Sequence, residues 1–301
     1  MSMYNKLTKT KLVNLPIEKR LEAYNKVLEL KNKNLHGIEI WKSLRREGLE
    51  IKYETILVWI NGVTNPNLKL NIIKNFDNEL SYLIGSILGD GCFYKVIRKG
   101  SYLYGKITFA VKDKELAEKF SESLNRIFGK KGLYNVRFDK NLQLYVVQCG
   151  SKHLVEVLSK PLSELRSFIE ISSIDFLKGI FDSEGCITIR FTKNKRVYPR
   201  IFLTNSNLEL IKYIKSLLEN LNVNSNIEIN TKSIKFKFIK DKFTSTNKTC
   251  YNLCIGNIDG VRIFNDLIGF TINKKDNKLK EIVKLIDMYG TDGAYQKLKN
   301  I

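Results

Sequence analysis

Histidine is nearly absent from this sequence. Two occur, His36 and His153, in 301 residues. Histidine-based nuclease and protease chemistry is therefore close to excluded, and any reaction must lean on carboxylates, lysine and bound metal. Cysteine is scarce in an equally informative way. Cys92, Cys149, Cys186, Cys250 and Cys254 form an odd set. Cys250 and Cys254 flank a strand-like stretch, and no second pair completes the four ligands of a zinc site. Buried free thiols in a reducing compartment account for them, so an intracellular location (cytoplasm, nucleoid or organelle matrix) is expected. No apolar run approaches the ~20 residues of a spanning helix. No secretory leader pattern opens the chain, no low-complexity segment interrupts it, and no membrane partner is expected.

Acid is also short relative to base. Lys and Arg number 51 against 31 Asp and Glu, a formal charge of +20, and the basic residues are spread along the whole chain rather than gathered in a tail. Such a field attracts polyanions, and phosphates neutralised on binding release counterions. Nucleic acid is the first partner to consider, ahead of an acidic membrane. A hydrophobic content of 43% over this length allows two or three domains with cores of their own.

Two segments say nearly the same thing 94 residues apart. One reads Leu83-Ile84-Gly85-Ser86-Ile87-Leu88-Gly89-Asp90-Gly91, the other Leu177-Lys178-Gly179-Ile180-Phe181-Asp182-Ser183-Glu184-Gly185. The shift persists outside them, putting Asn78 on Ser172, Cys92 on Cys186, Leu116 on Leu210, Leu124 on Leu218 and Ile127 on Leu221. An internal repeat with one acid in each copy suggests two half-domains building a shared site at a pseudo-twofold seam.

The spacing predicts three short helices before residue 75. They cover Glu18–Lys31, a stretch from Ile38 stopped by Gly48, and Glu54–Ile60. A tight turn before the third suggests a helix-turn-helix. The stretch Thr55-Ile56-Leu57-Val58-Trp59-Ile60-Asn61-Gly62, with Pro66 beyond it, resembles the recognition helix of transposase-type helix-turn-helix domains. A small bundle used only for packing is the alternative. Asn65-Pro66-Asn67 to about Asn75 reads as a linker. Domains are thus expected at 1–75, 76–170 and 171–301. Each later domain is α+β with an antiparallel sheet. The first copy has strands Cys92–Arg98 and Leu103–Val111 around Lys99-Gly100, a helix Asp113–Phe128, a hairpin of Leu133–Phe138 and Leu142–Cys149, and a helix Ser151–Ser159. The second has Cys186–Phe191, Val197–Thr204, a helix Asn207–Leu221, strands near Ile227–Asn230, Ile234–Ile239 and Thr249–Ile255, and helices near Ile258–Leu267 and Lys278–Tyr289. Asp241–Lys248 is expected to be a polar loop.

Each repeated motif is expected to be a helix running toward its carboxylate, capped by Asn78 or Ser172 and ended by Gly91 or Gly185 in the left-handed conformation. Gly85 and Gly89 in one copy, Gly179 and Ser183 in the other, lie four apart on one face. Two such helices can pack with backbones nearly touching, bringing Asp90 and Glu184 together at their ends. Close carboxylates repel unless a cation or proton intervenes. A hard divalent cation is the economical answer, and Mg²⁺ prefers oxygen ligands of this type.

Both segments resemble the LAGLIDADG motif, and the chain resembles a monomeric, two-motif LAGLIDADG homing endonuclease over about residues 78–290. The resemblance implies two αββαββα half-domains with saddle-shaped antiparallel sheets over double-stranded DNA and the motif helices as their central interface. It further implies a monomer acting as a pseudo-dimer, cutting both strands of a long target to leave short 3′ overhangs. Asp90 and Glu184 match the family's metal-binding acids. Two or three Mg²⁺ ions are implied between them, with the carbonyls of Gly89 and Ser183 completing the coordination. Family enzymes also place a basic residue near each cut. Phe270-Thr271-Ile272-Asn273-Lys274-Lys275 resembles the family's late lysine segment and marks Lys275; Lys112, at a strand end, is a second candidate. The first half offers Arg166 but no matching lysine, and the repeat sets Lys112 against Ser206. Arg98, Lys106, Arg137, Lys193, Arg196, Arg200, Lys235 and Lys237, interleaved with Tyr94, Tyr102 and Tyr198, are the candidates for DNA contact. An RNA maturase acting on intron RNA, or a regulator that binds DNA without cutting it, would share this scaffold. The intact pair of acids favours cleavage. An endonuclease resident in an intein is not expected, because the chain begins Met1-Ser2 and lacks splicing-type ends.

Overall fold

The computed structural model describes residues 10–11, 17–61, 71–98, 101–129, 132, 134–237 and 243–299, with eleven helices and ten strands among them. The chain divides into two compact units. The smaller comprises Met1–Lys74, Phe93–Thr108 and Gln148–Lys160; the larger comprises Asn75–Cys92, Phe109–Val147 and Pro161–Ile301.

The smaller unit holds the three predicted N-terminal helices, α1 (Ile17–Asn32), α2 (Gly37–Arg46) and α3 (Tyr53–Ile60). Ala23, Val27, Ile40, Leu44, Ile51, Ile56 and Trp59 form their shared core. Glu39 accepts a hydrogen bond from the backbone of His36 at 2.8 Å and so secures the start of α2. The predicted tight turn before α3 is instead a longer connection, residues 47–52. It contains Gly48 at φ +84° and the short strand β2 (Leu49–Glu50), paired in parallel with β1 (Thr10–Lys11). Gly62 and Pro66 of the predicted recognition-helix segment lie outside the described residues. His153, on α6 (Lys152–Leu158), is a buried structural residue whose Nδ1 accepts from the Ile73 backbone at 3.2 Å.

The first four-stranded sheet, whose strands contribute to both units, has the order β3 (Gly91–Arg98), β4 (Ser101–Val111), β6 (Leu144–Gly150), β5 (Arg137–Asp139). The second lies wholly in the larger unit, in the order β7 (Gly185–Phe191), β8 (Val197–Asn205), β10 (Phe243–Ile255), β9 (Asn226–Lys237). The helices of the larger unit are α4 (Asn78–Asp90), α5 (Lys114–Ile127), α7 (Leu162–Ile169), α8 (Ser173–Glu184), α9 (Leu208–Asn220), α10 (Ile258–Leu267) and α11 (Asn273–Leu298). Each motif helix, α4 or α8, thus runs directly into the first strand of its sheet, and the element order αββαββα repeats as predicted. Each repeat is followed by one further helix, α7 or α11; α7 went unassigned in the sequence.

Alternation orients the second sheet. Ile187 pairs with Ile201 and both are buried on the helix-covered side, whereas their neighbours Thr188 and Arg200, also paired, occupy the open face. Several local expectations are corrected. Asp77 rather than Asn78 caps α4, accepting from the Glu79 backbone at 3.1 Å, because its carboxylate reaches the orphan amide. Ser172 caps α8 as expected. The two strands predicted at 227–230 and 234–239 form one continuous strand, β9, to Lys237; residues 238–239 lie outside the described residues. Most of the predicted 241–248 loop belongs to β10, pairing Phe243↔Lys237 through Lys248↔Lys232. Threonine in that stretch is compatible with a strand, and polar composition alone misread it.

Candidate active site

Helices α4 and α8 meet through their glycines. A Cβ on Gly85 would stand 2.3 Å from the Phe176 carbonyl oxygen, and one on Gly179 would stand 2.2 Å from that of Tyr82. One on Gly89 would lie 2.6 Å from the Ser183 Cβ and 3.2 Å from the Glu184 Cγ. The contacts advance in the same direction along both helices, so the two run parallel and finish side by side. Ser183 donates across the seam to the Ser86 carbonyl at 3.3 Å. Backbone contact this close fixes the separation of Asp90 and Glu184 through main-chain geometry rather than flexible side chains.

The terminal glycines serve a different purpose from the one expected. Gly91 (φ −82°, ψ 152°) and Gly185 (φ −77°, ψ 144°) are extended, not left-handed. A Cβ on Gly91 would come within 2.5 Å of the Ile87 Cα, and one on Gly185 within 2.2 Å of the Phe181 carbonyl oxygen. Glycine is required there because the chain folds back against the last turn of its own helix as it enters the strand.

Electrostatics mark the helix ends. Burial raises the pKa of Asp90, with Lys275 opposing. Glu184 is pushed up to about 6, by burial first and by the charge of Asp90 second. Burial lowers the pKa of Lys275, against the pull of Asp182, Asp113 and Asp90 among others. The Lys275 Nζ donates to the Asp182 carbonyl at 2.8 Å. The Asp182 side chain is completely buried; it accepts from the Thr271 backbone at 2.7 Å and from the Tyr82 hydroxyl at 3.1 Å. Its pKa is raised by burial despite these donors. Asp182 thereby ties α8 both to the segment carrying Lys275 and to α4. Sequence reasoning passed over it, although its position inside the motif, opposite Leu88 in the other copy, was the available signal.

A pocket of ≈ 310 Å³ opens beside Asp90, with Lys112, Asp113, Asp182, Ser183 and Lys275 in its wall. Both predicted lysines therefore stand at one cavity with one motif acid. The chemistry of the donor set suits a hard divalent cation: two desolvated carboxylates, with the charge of Asp90 raising the proton affinity of Glu184, each preceded in the chain by Gly89 or Ser183. Among the described residues no group of three or more His, Cys, Asp or Glu is placed to hold a metal. Such an ion would therefore have to draw remaining ligands from backbone, water and substrate oxygens.

The predicted DNA-contact residues are scattered over the strands. Arg200 on β8 is held at 3.2 Å from the Cys254 Sγ and 3.0 Å from Glu228 Oε1. Arg196 pairs with Asp292 at 2.9 Å, while Lys193 is exposed between β7 and β8. Arg137 is exposed on β5 and Lys106 is half-buried on β4. Arg98, Lys235 and Lys237 belong to β3 and β9, and their side chains lie outside those described. The open face of the second sheet forms a pocket of ≈ 490 Å³ lined by Arg190, Tyr198, Arg200, Asn226 and Glu228 among others. Arg190, Asn226 and Glu228 were not anticipated. The alternation Ile187-Thr188-Ile189-Arg190 would have placed Arg190 there.

Comparison with known proteins follows the same outline. The LAGLIDADG-like domain family matches residues 77–160 and 173–269. The uncharacterized protein MJ0398 of Methanocaldococcus jannaschii is 31% identical over 271 residues, 89% of this chain and 96% of that one. The homing endonuclease I-DmoI of Desulfurococcus mucosus is 26% identical over 161 residues, 52% of this chain and 77% of that one. A solved structure of I-DmoI in complex with DNA and Ca superposes with a TM-score of 0.48 at 22% identity, covering 69% of this chain and all of that one. The two matched segments coincide with the two copies whose helices meet at Gly85 and Gly179, and the chain belongs to the LAGLIDADG-like family in its two-motif, single-chain form.

Proposed function

We propose that this chain is a site-specific endonuclease that cuts both strands of a long double-stranded DNA target, using divalent metal, Mg²⁺ in the cell, and acting as a monomer. The observation that carries the reading is the pair Asp90 and Glu184, held side by side at parallel helix ends by backbone contact and partly withdrawn from water. The +20 charge supplies attraction to the duplex. The open, partly basic face of the second sheet, with Arg190, Arg200 and Tyr198, is shaped for a groove.

The reaction is phosphodiester hydrolysis. Water oxygen forms a new bond to phosphorus, the P–O3′ bond breaks, and the departing oxygen is protonated. The products are a 5′-phosphate and a 3′-hydroxyl, and staggered cuts leave short 3′ overhangs. Asp90 and Glu184, with the Gly89 and Ser183 carbonyls, would hold the metal, which when bound supplies Lewis-acid polarisation of phosphoryl oxygens and a more acidic water. Lys275 and Lys112 bring positive charge to the phosphate as negative charge builds on its oxygens. Asp182 keeps Lys275 oriented through its backbone carbonyl.

The test is cleavage of a randomised duplex library with Mg²⁺, run beside an Asp90→Asn, Glu184→Gln double variant. Cuts by the unaltered chain alone, with matched 3′ overhangs, are the expected result. Tight binding without cuts by either protein would overturn the reading and assign the scaffold to a maturase or a regulator.

A further inference from the structure

Lys275 reaches the motif acids from the third position of α11, and the start of that helix lacks a cap of its own. Ile272 stands at the N-cap, and its hydrocarbon side chain offers nothing to the orphan amides. Glu115, the second residue of α5, takes the place of the missing cap. Its Oε2 accepts from the Asn273 backbone at 2.7 Å and its Oε1 from the Asn273 Nδ2 at 2.9 Å. A carboxylate there also meets the positive end of the helix dipole. The two Asn273 donors hold the Glu115 carboxyl below the usual range.

The rest of the segment is tied from other directions. The Thr271 backbone donates to the Asp182 carboxylate at 2.7 Å, and the Phe270 backbone to Asp276 Oδ1 at 3.2 Å. Lys275 donates to the Asp182 carbonyl at 2.8 Å and lies 5.6 Å from the centre of the Phe270 ring. Its charge opposes the rise in proton affinity of Asp90 and Glu184 alike. Asp182 belongs to α8 and Glu115 to α5, so the turn that carries the lysine is clamped between the second copy's motif helix and a helix of the first copy. Asp182 is buried in the packed interior, whereas Glu115 is exposed and contributes to no core. Its two bonds serve position.

We propose that Glu115 is a positioning residue of the nuclease: by capping α11 from the other copy it sets Lys275 against Asp90 and Glu184, and cleavage depends on that cap while DNA binding does not. This rests on the endonuclease reading above. The requirement is for hydrogen-bond geometry at Asn273, not for negative charge. Glutamine at 115 can still accept the Asn273 backbone amide through Oε1, and the Asn273 side chain can turn its own oxygen toward the glutamine NH₂. Alanine can do neither, which leaves the helix start to water and lets the long Lys275 side chain sample other rotamers.

The duplex recovered by binding selection from a randomised library in Ca²⁺ is the substrate. Glu115→Ala, Glu115→Gln, Lys275→Met and the Glu115→Ala, Lys275→Met double variant are compared with the parent. Single-turnover cleavage is measured in Mg²⁺, duplex affinity in Ca²⁺, and amide hydrogen exchange across 271–278 without metal or DNA. Glu115→Ala should slow cleavage by about tenfold to 10²-fold, as a misplacement of about 1 Å does, while affinity stays within about twofold. Exchange at the start of α11 should quicken in the same variant. Glu115→Gln should bring all three measurements back near the parent's. Adding Glu115→Ala to Lys275→Met should slow cleavage no further, whereas a general loss of folding would. Unchanged cleavage in Glu115→Ala, a loss that weakened affinity accounts for, or glutamine behaving as alanine would each overturn the proposal while leaving the endonuclease intact. A parent protein that cuts no DNA would overturn the endonuclease reading; the exchange data would still show whether Glu115 caps α11.

Discussion

Gly179→Ala sets two well-known effects against each other. In a solvated helix the change adds about 1 kcal/mol of stability, because alanine loses less backbone entropy than glycine. Here the new Cβ would sit 2.2 Å from the Tyr82 carbonyl oxygen, against 3.4 Å or more for ordinary contact. The obstacle is backbone on both sides, so α4 and α8 must part by more than an ångström. A gap of that size forfeits a quarter to a half of each dispersion contact along the seam, where Leu83, Ile84, Ile87, Phe176, Ile180 and Phe181 are buried. Overpacking costs about 1–3 kcal/mol, and more where no side chain can yield. The steric loss wins, and a net cost of about 2–4 kcal/mol is expected. At roughly 2–4 °C per kcal/mol, the melting temperature should fall by roughly 4–16 °C. The same separation relieves a Cβ on Gly85, so Gly85→Ala with Gly179→Ala should cost less than the sum of the two single changes. Calorimetric melts of the three variants decide the matter. A Gly179→Ala protein that melts at or above the parent temperature would refute backbone contact at the seam.

Three further outcomes are expected. Glu79, buried on α4, is bonded by Ser123 at 2.6 Å and Lys119 at 2.9 Å and paired with Arg126; these outweigh the burial that pushes its pKa up and hold it below the usual range. Glu79→Gln should cost about 1–3 kcal/mol at neutral pH. Because the folded pKa is depressed, the Glu79 contribution is present above the unfolded value and lost as pH falls through the folded one, so the variant's denaturation midpoints should vary less with pH below about 4. In EDTA, the raised pKa of Glu184 makes folding less favourable as pH rises from the unfolded value toward about 6. Asp90→Asn removes the second cause and leaves burial, so denaturant melts should show that decline shrinking without vanishing. Gly91→Ala, with its Cβ 2.5 Å from the Ile87 Cα, should destabilise by about 1–3 kcal/mol, and a neutral thermal melt would show that the helix-to-strand corner is looser than drawn.

The repeat made most of the site legible. Asp90, Glu184 and the glycine stripe follow from two copies in register, since a residue pattern that recurs with one acid each time constrains both a helix face and its end. The helices and strands of the repeats follow from periodicity, and α10 spans the predicted residues. What escaped has local physical causes. Glycine at 91 and 185 reads as a left-handed stop, but the demand is steric, from the turn preceding it, and spacing carries no information about that approach. Asn78 and Asp77 are both good caps, and which one is used depends on where the chain enters the helix. Asp182 went unread because a buried acid is anomalous only once its burial is known.

The two copies also differ in what they are free to change. Gly85 and Gly179 each meet the other helix's backbone, so neither can acquire a side chain without displacing both acids. Lys112 and Lys275 reach the Asp90 pocket from a strand end and from a separate helix, outside that interface. The fold therefore couples the two motif acids tightly and the flanking cations hardly at all. Divergence within a fused repeat should then collect in the cations first, while the pair of acids stays intact.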